Sequence, residues 1–248
     1  DRQNMIRIMD MQGIYKDMDF YREYQYTISD CTQIEGTNCY CDDEARHILR
    51  QLIEGDTAKI RFSDSGNYHY LTAIYLEMIR EPFSLIVFDH HPDMQLSAFS
   101  EILSCGGWVC DVLQNNKYIQ DVIIIGVKDE LIELADERLR DRVRFIKESE
   151  LETGIKEIQK LKSEYPIYIS IDKDVMDTES VITNWDQGSL TIDEQIRCLE
   201  ALIDNNSIIG ADVCGELMVE NGIYNDADAI KNNECNKKIL KALYSAFI

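Results

Sequence analysis

The sequence predicts an α/β fold: a single three-layer domain in which a parallel sheet is flanked by helices. Three observations predict it. Short apolar runs that read as strands alternate with segments of helical period along most of the chain, the pattern of βα units around a parallel sheet. Two of those runs, Ser84-Leu85-Ile86-Val87 and Tyr168-Ile169-Ser170-Ile171, lead straight into carboxylates, as expected where strands deliver ligands to the C-terminal edge of an open sheet. Finally, 248 residues with three prolines, no repeats and no low-complexity tract suit one domain over 1–248 with no linker.

The elements follow in order. Residues 5–9 read as a short apolar strand. Residues 15–40 are rich in Tyr and Asp and weakly periodic; their aromatic side chains cover a site, build a subunit contact or, most simply, pack an edge of the domain. Residues 42–54 predict a helix with Ile48, Leu49 and Leu52 on one side. His47 lies in it, outside every ligand motif. Residues 59–62 predict a strand that delivers the turn Gly66-Asn67-Tyr68-His69, where Gly66 allows backbone angles closed to other residues. Residues 70–80 predict a helix, with Leu71, Ile74, Tyr75 and Met78 at helical spacing and Pro82 just beyond its end. The strand over 84–87 comes next. A short helix over 97–103 leads to Ser104-Cys105-Gly106-Gly107-Trp108.

From there strands at 122–127, 142–146, 166–171 and 208–213 alternate with helices. Residues 129–138 form one helix, and 153–163 another with Ile155, Ile158 and Leu161 inward. A third opens at Thr191, where Glu194 three residues on completes a capping box and Ile192, Ile196, Leu199 and Leu202 make the apolar face. Residues 225–247 close the chain as a helix.

Composition excludes several function classes. A formal charge of −21 and a pI near 4.5 argue against nucleic-acid and anionic-membrane partners. No apolar stretch approaches a membrane span, and no signal peptide is visible in the sequence. Eight cysteines are scattered without a CxxC pair or a regular framework, which predicts reduced thiols in a cytoplasmic protein.

Chemistry concentrates in three stretches. Asp89, His91 and Asp93 stand at i, i+2 and i+4 just as a strand ends, and alternate residues of an extended chain share a side. Asp172 and Asp174 repeat the design after 168–171. His69 closes the glycine turn. Taken singly, each histidine also reads as a hydrogen-bonded core residue and each aspartate as a helix cap. Together they form a set, because buried carboxylates need partners. Asp89, Asp93, Asp172 and Asp174 carry four negative charges, which two divalent cations would neutralise. The oxygen-rich set with two imidazoles suits Mn²⁺ better than Zn²⁺.

These stretches carry a resemblance. Gly66-Asn67-Tyr68-His69 is similar to the Gly-Gly-Asp-His motif of the ureohydrolases, the arginase and agmatinase family. Asp89-His90-His91-Pro92-Asp93 resembles its Asp-Ala-His-x-Asp motif, and Ser170-Ile171-Asp172-Lys173-Asp174-Val175-Met176-Asp177 its Ser-x-Asp-x-Asp-x-x-Asp motif. The order matches, as does the flanking strand over 122–127. The resemblance runs from residue 59 to the C-terminus and leaves 1–58 as a divergent N-terminal part of the same domain.

The resemblance implies an arginase-like fold and a dinuclear manganese hydrolase. A metal-bridging hydroxide would cleave a C–N bond of a small guanidino, amidino or amide substrate. It implies that His69, Asp89, Asp93 and Asp172 hold one Mn²⁺ and His91, Asp89, Asp172 and Asp174 the other, with Asp89 and Asp172 bridging. Asp177 would support the ligands from behind. It also implies a small-molecule substrate and a homo-oligomer. Two alternatives stay open: a deacetylase-like amidohydrolase with one Zn²⁺ on Asp89, His91 and Asp172, and a non-catalytic metal-binding protein of the same fold.

Departures from the family pattern bear on substrate. Trp108 stands where arginases carry a proton-transfer histidine, and there it would close the pocket, stack on a planar cation or pack in the core. His90 replaces an alanine and could supply the missing acid-base group, but as a neighbour along a strand it is expected to point away from the metals. Gly215 falls where the family places a guanidinium-binding Glu. Either Glu216, one position on, serves as the anchor through a local bulge, with Asp212 as another anionic contact, or the guanidinium site is gone. Thr178 replaces a usual proline. Residues 184–188, Asn-Trp-Asp-Gln-Gly, make either a substrate loop or a solvated turn.

Overall fold

The computed structural model of the chain describes residues 4–96 and 101–248. Its elements in order are β1 (Ile6–Asp10), β2 (Tyr26–Asp30), β3 (Tyr40–Cys41), α1 (Asp43–Ile53), β4 (Ile60–Phe62), α2 (Leu71–Leu76), β5 (Phe83–Phe88), β6 (Leu103–Ser104), α3 (Trp108–Asn115), β7 (Ile119–Val127), α4 (Asp129–Ile132), β8 (Val143–Lys147), α5 (Leu151–Lys160), β9 (Ile167–Asp172), α6 (Ile192–Asn205), β10 (Ile208–Cys214) and α7 (Asp226–Tyr244).

Eight strands form one sheet in the order β2-β1-β4-β10-β9-β5-β7-β8, and its pairings are all parallel. β3 and β6 pair antiparallel as a separate ribbon. The central strands β5 and β9 are buried at every residue, as strands covered on both faces must be. Alternation sends their side chains into opposite layers. Ile86, Phe88, Ile167, Ile169 and Ile171 pack with α5, α6 and α7, whereas Leu85, Val87 and Tyr168 pack with α1, α2 and α3. Each fully buried Ile or Leu contributes about 1.5–3 kcal/mol, so this double cover makes the sheet centre a rigid platform. Among the described residues no helix is long and apolar enough to cross a membrane.

Register positions the site. Val87 pairs with Ser170 and Phe88 with Ile171, so Asp89 and Asp172 come side by side at the strand ends. On the other flank Cys214 pairs with Asp172. β4, beside β10, runs into the turn that carries His69.

Local chemistry explains the helices and their departures from expectation. Asp42 caps α1 by accepting from Ala45 N–H at 2.8 Å. The buried row of α1 is Ala45, Leu49 and Ile53 at i, i+4 spacing, not Ile48 and Leu52, which flank it and are exposed. At α6 both bonds of the Thr191–Glu194 capping box form, worth about 1 kcal/mol.

α2 is shorter than residues 70–80 because Glu77, Met78 and Ile79 donate to Ile74, Tyr75 and Leu76, three residues back. α4 is shorter than 129–138 because the Asp136 N–H leaves the helix to bond Met94 O. Of the helix expected over 97–103, residues 97–100 lie outside the described residues and Leu103 belongs to β6. The aromatic stretch 15–40 forms the sheet edge β2 and one strand of the ribbon. Its Tyr15, Phe20 and Tyr21 are buried, with Phe20 against Phe62.

Candidate metal centre

All six expected ligands meet at the C-terminal ends of β4, β5 and β9. His69 Nδ1 lies 3.1 Å from Asp89 Oδ2, 3.0 Å from Asp93 Oδ2 and 3.5 Å from Asp172 Oδ2. His91 Nδ1 lies 2.9 Å from Asp174 Oδ2 and 3.6 Å from Asp89 Oδ1. Two groups able to hold an ion emerge, His69–Asp89–Asp93 and Asp89–His91–Asp174, and they share Asp89. A third, His69–Asp172–Cys214, adds a thiol.

The convergence is not made by an extended strand, as the i, i+2, i+4 spacing suggested. β5 ends at Phe88, and the His91 N–H folds back onto Asp89 Oδ1 at 2.8 Å. Asp93 turns left-handed at φ +51°, a conformation Asp tolerates better than most residues. Asp172 likewise accepts from the Asp174 N–H at 3.1 Å. Short side chains bonding their own backbone fix both turns.

Residues behind the ligands hold them in place. His69 Nε2 meets Ser170 Oγ at 2.9 Å, and Ser170 donates to Asp212 Oδ1 at 2.7 Å. Asp212 also accepts from Tyr168 OH at 2.7 Å. With Nε2 engaged there, Nδ1 is the atom His69 presents to the site. Trp108 donates its indole N–H to Asp93 Oδ2 at 2.7 Å, and its ring sits 4.7 Å from that of His69. Ser170, Asp212 and Tyr168 had a faint sequence signal: they alternate with the core side chains on the same sheet face as the ligands.

The electrostatics point to cations. Burial pushes the Asp89 carboxyl well up, and Asp93, Asp174 and Asp172 add to it. Burial, then Asp174, pushes Asp172 up to about 7. At His91 burial opposes charge, but the Asp174 and Asp89 carboxylates beside it prevail and push it up to about 12. Protons are thus drawn into a space that crowded carboxylates make strongly negative. His69 Nδ1, Asp89 Oδ2 and Asp174 Oδ2 are buried without a hydrogen-bond partner among the described residues. Buried polar atoms of this kind need a ligand, and three of them aimed at one space fit a divalent metal with oxygen and imidazole donors.

A cavity of about 170 Å³ opens onto this cluster. His91, Asp93, Asp172 and Asp174 form its floor, and Pro92, Gln95, Cys105, Gly106, Leu131 and Trp185 contribute to its walls. A larger groove of about 630 Å³ between α1, α2 and α3 holds none of the ligands, and its Arg46, Arg50, Glu77 and Asp111 pair with one another.

Several expected residues take other places. Trp108 is fully buried and does not line the cavity; as the first residue of α3 it points into the layer beneath. Glu216 is also fully buried, and its carboxylate is bound by Lys173, Asn232 and Asn236, so it cannot anchor a substrate. Asp212 is occupied by Tyr168 and Ser170. Gly215 has φ +98°, and a Cβ there would lie 2.7 Å from Asp172 Oδ1 and 2.7 Å from the Lys173 nitrogen. No side chain fits where an anchoring Glu would have to start.

His90 turns away from the ligands, towards Asp186 at 3.3 Å and Glu148 at 3.7 Å. Asp177 accepts from the Ser180 N–H and hydroxyl, bracing the loop that begins at Thr178. In the 184–188 loop, Trp185 donates to Asn67 Oδ1 at 2.8 Å and leans over Gly66 and His91. His47 is exposed on α1.

Residues 65–217 match the model of the arginase family. An uncharacterized protein of Thermotoga maritima is 29% identical over 212 residues, 85% of this chain and 79% of that protein. Among solved structures, proclavaminate amidino hydrolase from Streptomyces clavuligerus superposes with a TM-score of 0.69 at 16% identity, covering 99% of this chain and 93% of that one. Arginase from Bacillus caldovelox gives a TM-score of 0.69 at 14% identity, covering 98% of each chain. Agmatine ureohydrolase of Thermoplasma volcanium gives 0.66 at 14% identity over 99% and 93%. At these identities the structural likeness shows the fold.

Proposed function

Since the chain belongs to the arginase family and is a metal-dependent hydrolase of the ureohydrolase type, we propose that it cleaves a C–N bond in a small amidine or amide, using two Mn²⁺ held by His69, Asp89, His91, Asp93, Asp172 and Asp174. The observation that carries this reading is the pair of ligand groups sharing Asp89, each containing a buried atom with no other partner. Four carboxylates balance two divalent charges. A single-ion, deacetylase-like site would leave Asp93, Asp174 and His69 crowded there without a purpose.

When bound, two such ions would lower the pKa of a water between them towards neutrality and so supply the nucleophile. The chain's own residues do the rest. Ser170 and Trp108 orient His69 and Asp93. Trp185, Pro92 and Leu131 exclude water and give a planar substrate group apolar walls. Gln95 offers it a neutral amide.

Among the described residues, the cavity presents no carboxylate to a guanidinium beyond the ligands, and Cys105 is the only wall residue with an ionisable proton. General acid-base help is typically worth ~10²–10⁴-fold, so L-arginine is expected to turn over slowly by about that factor. The test is steady-state hydrolysis by the manganese-loaded chain of arginine, agmatine, formimino compounds, acetylated amines and small amides. Arginine turned over as fast as the best small substrate would overturn this choice of substrate. One tightly bound Zn²⁺ with deacetylation alone would favour the deacetylase-like reading.

A further inference from the structure

Cys39 and Cys105 face each other at the cavity rim. β3 and β6 pair Tyr40 with Ser104 and Cys41 with Leu103, so the next pair along the ribbon is Cys39 and Cys105. The Cys105 N–H donates to Cys39 O at 2.8 Å. Opposed residues of such a ribbon have Cα atoms about 4.5–5.5 Å apart, within the span of about 4.4–6.8 Å that a disulfide bridges. Both residues are partly accessible, and both thiols are free. Cys105 lines the cavity itself.

We propose that Cys39 and Cys105 form a reversible disulfide across this ribbon, a thiol modification site at the entrance to the metal centre, formed by exchange with a small-molecule disulfide such as oxidised glutathione. The Cys39 thiolate attacks one sulfur of the small disulfide, whose other half leaves as a thiolate. The Cys105 thiol then loses its proton and attacks the mixed disulfide at Cys39. The ring bond forms and the second small thiol leaves, so the small disulfide gains the two electrons that the cysteines lose. Roles follow from the acidities of the two facing thiols. The neighbouring Cys105 holds the Cys39 thiol down at about 7, and Cys39 together with burial pushes Cys105 up, which makes Cys39 the attacking thiolate.

The remaining thiols for which a shift is resolved are raised by burial. Cys31, Cys41, Cys110 and Cys198 lie at about 12, as does Cys235, and burial pushes Cys214 well up. Cys39 is therefore set apart among the eight. The ribbon also touches the substrate wall: Asn38 Oδ1 accepts from Asn67 Nδ2 at 2.9 Å, and Asn67 Oδ1 accepts from the Trp185 indole at 2.8 Å. A bond at Cys39 would tie the chain beside Asn38 to the wall residue Cys105. The proposal does not depend on which substrate the centre takes.

The full chain is incubated in glutathione buffers of rising oxidised fraction, quenched with iodoacetamide and mapped by peptide mass spectrometry. The expected result is that the first bridge to form joins Cys39 to Cys105, with loss of two hydrogens, and that reduced glutathione reverses it. C39S and C105S, each checked for an unchanged circular-dichroism melt, should both abolish it. Should either variant fail to fold, alkylation of the native chain decides, with Cys39 expected to react first of the eight. A first bridge between any other pair, separate glutathione adducts on Cys39 and Cys105, or faster alkylation of another cysteine would overturn it.

Discussion

Asp89 is the residue on which both ligand groups depend, so Asp89→Asn should remove bound metal and hydrolysis together. His47→Ala, on the exposed face of α1, should change neither. Elemental analysis after reconstitution checks both, with about two Mn²⁺ per chain expected for the parent. Trp108 acts one step away. Its indole N–H is a donor to Asp93 Oδ2, and Phe fills the space without replacing that bond. Partners of this kind typically govern metal affinity ~10–100-fold. Trp108→Phe should therefore weaken Mn²⁺ binding within that range by calorimetry while the fold persists. The six candidate ligands could be singled out in the sequence because their chemistry is in the residue type and their spacing is local. The place of Trp108 could not be read there, because whether a side chain at a helix start faces the cavity or the layer below depends on how the helix docks. Cys105 escaped notice for the same reason: only the pairing of β6 with β3 turns it towards the cavity.

The loops after β9 and β10 form one mechanical unit. Lys173, between two ligands, extends away from them and is fully buried against Glu216 and Asn236 of α7. Removing one partner of a buried ion pair typically costs about 3–5 kcal/mol, because the other charge is left uncompensated. Lys173→Met should lower stability by that order in denaturant unfolding and loosen metal binding with it. Gly215→Ala should also destabilise, since its φ of +98° and the 2.7 Å approach to Asp172 and Lys173 leave no room for a methyl group. Elements with a strong signal were legible: β5, β7 and β9 fall on the continuous apolar runs, and α6 falls where its apolar period and capping box put it. α2 and α4 were overestimated, because their last turns are ended by bonds to particular partners rather than by a Gly or Pro. β2 and β3 lacked a signal, being an edge strand and a two-residue strand with half their side chains exposed.

At the level of the whole molecule, a net charge of −21 already opposes compaction, and the metal centre concentrates part of it. In the chelated chain, Asp172 titrates at about 7 and His91 at about 12, each above its value of about 3.9 or about 6.5 when unfolded. The folded state thus binds protons more tightly than the unfolded state. That stabilisation is fully present below about pH 4 for Asp172 and is lost as pH rises through about 7; for His91 the loss begins above about 6.5. The metal-free chain should therefore melt at progressively lower temperature from about pH 5 to about pH 8, against the trend of ordinary paired carboxylates. A divalent cation bound there would displace those protons, so the rise in melting temperature on adding Mn²⁺ should be largest at about pH 8. Scanning fluorimetry with and without chelator reads both. A rise in melting temperature with pH in the chelated chain would contradict the reading. The three-layer plan was legible in the alternation of elements; the strand order was not, because it is set by crossovers between segments remote in sequence. That order has a temporal consequence. β5 and β9 lie side by side, yet β7, α4, β8 and α5 emerge between them, so a nascent or refolding chain carries Asp89 for a long interval before Asp172 exists beside it. Loop closure on that scale is slow, and a cation arriving early would meet His69, Asp89, His91 and Asp93 but neither Asp172 nor Asp174. The full set of donors exists only once the topology is finished.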